Sequence, residues 1–155
     1  MIYKLEIKSE HFHSDTTCMG WQLVDILKNF IDLKNLKWVV FDIYGSTHED
    51  LLELFKKDKN ETVFFENTEH LISSVNEVVQ FETGVFCLID STKKIEFIDG
   101  IPETEAKERI QVQKEILEIR TFDYSFFEVY SADRKYLDKI KMNLPNQIIN
   151  IQQII

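Results

Sequence analysis

The chain is poor in the residues that irregular, stapled or nucleotide-cradling folds depend on. It has four glycines, two prolines and two cysteines in 155 residues. With only Gly20, Gly45, Gly84 and Gly100, it contains no Gly-x-Gly-x-x-Gly turn, no Gly-Lys-Ser phosphate loop and no Gly-x-Ser-x-Gly elbow. Cys18 and Cys87 make one bridge at most, and Cys87 sits inside an apolar run, Val85 to Ile89, where a small buried thiol is expected. No apolar stretch approaches the roughly 18 residues of a membrane span. Met1 to Lys8 alternates apolar and charged residues, unlike the basic and then apolar order of a signal peptide, so the cytoplasm is the expected compartment.

Positive charge is also scarce where negative charge is dense. The formal net charge is -9, and the stretch from Glu61 to Glu105 holds ten carboxylates against Lys93 and Lys94. Phosphate backbones require Lys and Arg to neutralise them, so nucleic acid is not the expected partner. The apolar content of 44 %, with twelve Phe and two Trp, supplies a core, and 29 % charged residues supply a wet surface. A chain of this length buries roughly 70 % of its unfolded surface, enough for one domain without staples.

Periodicity outlines the elements. Tyr3, Leu5 and Ile7 alternate with Lys4, Glu6 and Lys8 as in a half-buried strand. Trp21 to Leu33 repeats apolar residues at three and four residue steps, which predicts a helix. Lys37 to Ile43 is apolar on both faces, as an inner strand is. Gly45 is expected to turn the chain after it, and Ser46 and Thr47, with Glu49 and Asp50 three residues on, predict capping boxes ahead of Leu51 to Phe55. Thr62 to Phe65 predicts a strand, and Asn67 caps a helix extending to Val79. Val85 to Ile89 and Ile95 to Ile98 predict a hairpin, and Pro102 to about Gln113 a helix.

For residues 114–121 helix and strand compete, and β-rich flanks favour a second hairpin turning near Asp123 and Tyr124. Ser131 is expected to cap a last helix that Pro145 stops, followed by a strand from Gln147 to Gln152. The apolar run from Gln147 to Ile155 needs cover, either in the sheet or against a second copy, giving a monomer or a homodimer. The sum is one α/β domain, with α+β as the alternative: a mixed sheet flanked by helices in the order β-α-β-α-β-α-β-β-α-β-β-α-β.

Three groups of residues carry candidate chemistry. Val39 to Ser46, containing Asp42-Ile43-Tyr44-Gly45-Ser46, resembles the first motif of the haloacid-dehalogenase-type phosphatases, a strand ending in Asp-x-Asp-Gly-Thr. The resemblance makes Asp42 a nucleophile and metal ligand, places Tyr44 where the family has its general acid, and gives Asp90-Ser91-Thr92-Lys93 the place of a later motif. His11, His13, Asp15 and Cys18 gather transition-metal donor types in one loop, although their spacing alone leaves an ordinary exposed loop as the simpler account.

The third group is the acidic one. Glu49, Asp50 and Glu53 fall on one predicted helix, Glu66 and Glu69 at the start of the next, and Asp90, Asp99, Glu103 and Glu105 around later turns. Gathered on one sheet edge, their fields would add and steer a basic protein, with Tyr44 as an aromatic anchor. In small size, acidity and lack of a catalytic motif the chain resembles bacterial toxin-immunity proteins. That resemblance implies a non-catalytic module that masks the active site of a basic toxin, with no cofactor, no metal, no nucleic acid and no membrane as ligand.

Overall fold

The computed structural model of the chain describes residues 1–154. Strand β1, Tyr3–Lys8, buries Leu5 and Ile7 on one face, as its alternation predicts. A 3-10 turn follows at Ser9–Phe12, and the chain then enters helix α1, Gly20–Leu27, which tightens into a 3-10 turn at Lys28–Phe30 and so stops short of the expected end at Leu33. The Gln22 side chain holds that entry, accepting from the Met19 amide at 3.0 Å and donating to the Thr16 carbonyl at 2.8 Å. Gly20 is required there because a Cβ would lie 1.9 Å from the Val78 carbonyl oxygen.

Strand β2 runs over Leu36–Thr47, helix α2 is a single turn at Leu51–Leu54, and β3 is Val63–Phe65. Helix α3, Thr68–Val75, is capped by Asn67, whose side chain accepts from the His70 amide. It ends before Val78 and Val79, which open the long strand β4, Val78–Asp90. Strands β5, Leu117–Phe122, and β6, Phe126–Ser131, form the expected hairpin around residues 123 and 124, both with positive φ as a tight turn with the twist of its strands demands. Helix α4, Arg134–Met142, precedes the short strand β7, Ile151–Gln153. The cap of α4 is Asp133 accepting from the Lys135 amide. Ser131 Oγ instead accepts from the Asp133 amide and donates to the Ile116 carbonyl.

The seven strands form one sheet in the order β3-β2-β4-β5-β6-β1-β7, and every neighbouring pair is antiparallel. The class is therefore α+β, not α/β. Helix α3 joins β3 to β4 across β2, and α4 joins β6 to β7 across β1, so each crossover is split by an antiparallel strand. A helix between two strands leaves the same periodic trace in sequence whether or not a third strand lies between them, which is why the pattern resembled a parallel unit.

The helices pack on one face of the sheet, over Leu5, Ile7, Trp38, Val40, Phe86, Leu88, Ile119, Phe127 and Val129. Trp38 is fully buried, and its indole nitrogen donates to Thr68 Oγ1 at 2.9 Å. Burying a side chain of this size contributes about 2–3 kcal/mol, and the hydrogen bond removes the cost of its polar edge.

The opposite face is covered by an irregular strap, residues 91–116. Neither the strand expected at Ile95 to Ile98 nor the helix expected from Pro102 forms; a bridge joins Phe97 to Val112 instead. Backbone carbonyls that a helix would satisfy internally turn toward Arg120, whose guanidinium donates to the carbonyls of Ala106, Lys107 and Arg109. Over β2 and β4 the strap packs Val112 and Ile95 on Val39, Phe41, Val85, Cys87 and Ile89. Over β5, β6 and β1 it meets polar groups: Glu118, Arg120, Glu128, Tyr130 and Lys4. Lys4 Nζ lies 2.7 Å from Glu108 on the strap and 2.8 Å from Glu128, and Arg120 stacks 4.4 Å from the Tyr130 ring.

Among the described residues no helix is long and apolar enough to cross a membrane. The run from Gln147 joins the sheet only at Ile151–Gln153, against Tyr3 to Leu5 of β1, and Ile155 lies outside the described residues.

Candidate functional site

The site begins with a break in β2. Register with β4 is regular from Leu36↔Asp90 to Phe41↔Val85 and resumes, shifted, at Tyr44↔Thr83. Asp42 occupies the break with φ of 55°, in the left-handed region that Asp tolerates better than most residues. Its carboxylate accepts from the Thr104 amide at 2.9 Å, its carbonyl accepts from Thr83 Oγ1 at 2.7 Å, and Thr104 Oγ1 accepts from the Gly84 amide at 3.0 Å. Thr104 of the strap thus serves the Gly84 amide and the Asp42 carboxylate, while Thr83 of β4 serves the Asp42 carbonyl. Bulges re-aim side chains, and here Tyr44 emerges 60 % exposed.

Gly45 and Ser46 neither turn the chain nor cap α2. Both lie within β2, and Gly45 admits the β4 backbone so closely that a Cβ would meet the Gln80 carbonyl oxygen at 2.4 Å. The cap of α2 is Asp50, whose side chain accepts from the Leu52 amide.

Two hollows share Asp42 and Tyr44. The first, about 310 Å³, is mainly apolar, with Ile43, Leu51, Leu52, Phe55, Val63 and Ile101 in its walls. The second, about 480 Å³, is lined by Asp42, Tyr44, Glu82, Thr83, Glu103 and Glu105, with no cationic side chain among them. Leu52 and Ile101 stand 70 % and 71 % exposed at the mouth of the first. An apolar and aromatic patch therefore abuts a pocket of four carboxylates. On the far side of Glu103 and Glu105 a third hollow, about 530 Å³, includes Asp99, held by Arg109 at 2.7 Å.

The acidic residues singled out in the sequence do not all come together. Tyr44, Glu103 and Glu105 meet at the bulge and Asp99 lines the adjoining hollow, whereas Glu49, Asp50 and Glu53 line none of the hollows and are only sequence neighbours of Leu51 and Leu52, which wall the first. Asp90 is level with Leu36, while Glu66 and Glu69 follow Phe65, which pairs with Trp38. At about 3.3 Å per residue, Asp90 is roughly 25 Å along the sheet from Tyr44. Asp42 and Glu82 join this surface as two further members. Glu82 lies on β4 next to Thr83, the partner of Tyr44, but the bulge that brings them together leaves no mark in sequence.

The phosphatase-like elements do not converge either. In that family the motif ends a strand; here β2 continues past Asp42 to Thr47, in a wholly antiparallel sheet. Asp90, Ser91 and Thr92 form a turn at the opposite end of β4, where Asp90 accepts from the Thr92 amide and hydroxyl. The hydroxyl and amide of Thr92 together hold the exposed Asp90 carboxyl below its ordinary range.

In the loop before α1, the buried His11 accepts the Lys8 amide on Nδ1 at 2.8 Å, while His13 is exposed. Cys18 is buried and donates to the Phe126 carbonyl, and burial pushes its thiol up to about 11. Among the described residues, the one group of three His, Cys, Asp or Glu donors close enough to share an ion is Cys87, Glu115 and Glu118, beneath the strap.

No protein-family model matches the chain, and neither a curated protein nor a solved structure matches it.

Proposed function

We propose that this chain is a non-catalytic, acidic protein-binding module of the immunity type, which neutralises a basic toxin by masking its active site. The observation that carries the reading is the pairing of Tyr44, Leu52 and Ile101, all exposed, with the hollow of Asp42, Glu82, Glu103 and Glu105. Interfaces draw affinity from a few aromatic and aliphatic anchors, and on-rate and selectivity from complementary charge around them. Carboxylates presented this way stand in for the phosphates that a nuclease-like toxin would grip. The antiparallel sheet holds Tyr44 in place, while Leu52 and Ile101 are presented by α2 and the strap.

The experiment is titration calorimetry of the chain against any basic protein encoded beside its gene, at two salt concentrations. Tight binding that weakens with salt, and that falls at least about tenfold in the Glu103→Lys/Glu105→Lys variant, is the expected result. An affinity indifferent to salt and to those charges would overturn the reading.

A further inference from the structure

Cys87 and Glu118 sit directly opposite one another on β4 and β5, on the face that the strap covers. Cys87 Sγ and Glu118 Oε1 are 3.9 Å apart, too long for a firm hydrogen bond. Glu115 descends from the end of the strap, and one donor atom from each of the three residues lies within 4.8 Å of the others. Glu115 is 5 % exposed; neither carboxylate oxygen has a well-formed hydrogen bond, and its polar neighbours are the Glu118 carboxyl, the Cys87 thiol and the Gln111 backbone. An ionised carboxylate in this place is costly, so a proton or a cation must balance it.

Arg120 does not. Its Nε is taken up by Glu118 Oε2 at 2.6 Å and three of its four remaining N–H groups by strap carbonyls. Glu118 is further held by the Gln111 amide on Oε1 and the Gln111 side chain on Oε2, each at 2.9 Å. Glu118 is thus fully oriented, whereas Glu115 and the Cys87 thiol face it without a counter-charge.

We propose that Cys87, Glu115 and Glu118 form a zinc site beneath the strap, tying residue 115 to the two central strands. Legs of about 2.3 Å to sulfur and about 2.0 Å to oxygen span the gap between Cys87 and Glu118 at an open angle. One oxygen of Glu115 makes the third protein donor, and its second oxygen is the candidate for the fourth position. The mixed thiolate and carboxylate donors suit borderline-soft zinc and disfavour magnesium and calcium, which take oxygen alone. Arg120 and Gln111 play the orienting part that outer hydrogen bonds play around metal-bound carboxylates. Charge closes: zinc with one thiolate, two carboxylates and the Arg120 guanidinium is neutral, so the ion displaces the protons of Cys87 and Glu115 without adding buried charge. Burial, which pushes both groups well above their ordinary values, makes the protonated pair the competitor that zinc has to displace.

The test uses the full chain, stripped with a chelator and titrated first with zinc and then, separately, with cobalt. About one zinc per chain should survive gel filtration, and the cobalt form should show thiolate-to-metal charge-transfer absorption. Cys87→Ser should abolish that band while Cys18→Ser keeps it, and Glu115→Gln should lower affinity at least about tenfold. Glu115→Gln preserves the size and neutrality of the protonated acid, so a native near-ultraviolet circular dichroism spectrum separates a lost ligand from a lost fold. Failure of the wild-type chain to retain zinc would overturn the site, as would uptake by Cys87→Ser or Glu115→Gln equal to wild type. Glu115 would then be a neutral acid sharing its proton with Glu118.

Discussion

Arg120 and Glu118 stand two residues apart on one face of β5, Nε 2.6 Å from Oε2, with both side chains fully buried. The pair does more than cancel charge, because the same guanidinium holds the Ala106, Lys107 and Arg109 carbonyls of the strap. Replacing Arg120 by Met leaves the buried Glu118 carboxylate without its counter-charge, held only by Gln111, and those carbonyls unpaired. The expected loss is about 3–5 kcal/mol in urea unfolding, with faster proteolysis within residues 91–116. The Glu118→Met/Arg120→Met double variant should recover part of the stability but not the protease resistance, since the strap anchor is still missing.

Stability should fall as pH rises above about 9. Burial raises the Cys18 thiol from 9.0 to about 11, and Lys4 is raised above 10.5 because its bonds to Glu108 and Glu128 outweigh the opposing, largest single influence of burial. Each group binds its proton more tightly when folded. Their stabilisation is complete below the unfolded values and is lost as pH climbs through the folded ones. Cys18 alone accounts for on the order of 2 kcal/mol. Denaturation midpoints at pH 8, 9, 10 and 11 are the measurement, and Cys18→Ala should show a shallower decline between 9 and 11.

The bulge is a packing constraint as well as a site. Gly45→Ala forces a Cβ against the Gln80 carbonyl and should cost about 1–3 kcal/mol, while Gly100→Ala, whose Cβ would meet nothing within 4 Å, should cost only the strain of its positive φ. Asp42→Asn keeps both the left-handed conformation and an acceptor for the Thr104 amide, so its melting temperature should stay near that of the wild type. Asp42→Val removes both and should unfold at clearly lower denaturant.

The two acidic groups should behave differently in binding. Tyr44→Ala and Leu52→Ala remove exposed side chains and should leave the thermal midpoint within a few degrees of wild type, yet weaken the partner complex by about 1–3 kcal/mol each. Glu66→Gln, Glu69→Gln and Asp90→Asn, at the other end of the sheet, should leave calorimetric affinity unchanged. A loss there equal to that at Tyr44 would place the interface elsewhere.

What local chemistry writes into the chain was legible without coordinates: the alternation of β1, the helix at α1, the Asn67 cap, the hairpin turning at Asp123 and Tyr124, and the burial of Cys87. Each depends on residues within a few positions of one another, where period and propensity act. The strap is not legible in the sequence because a Glu-rich stretch after proline carries a helical pattern, whereas Arg120, distant in sequence, binds its carbonyls instead. Sheet direction, the bulge at Asp42 and the meeting of Tyr44 with Glu82, Glu103 and Glu105 were likewise beyond reach. By itself, then, the sequence determined an acidic single domain, most of its elements and which residues needed burial. The tertiary structure alone decided that β3 and β4 flank β2, that the carboxylates split between two ends, and that Cys87 faces Glu115 and Glu118. These are long-range pairings, set by which strands share hydrogen bonds and which buried charges find partners.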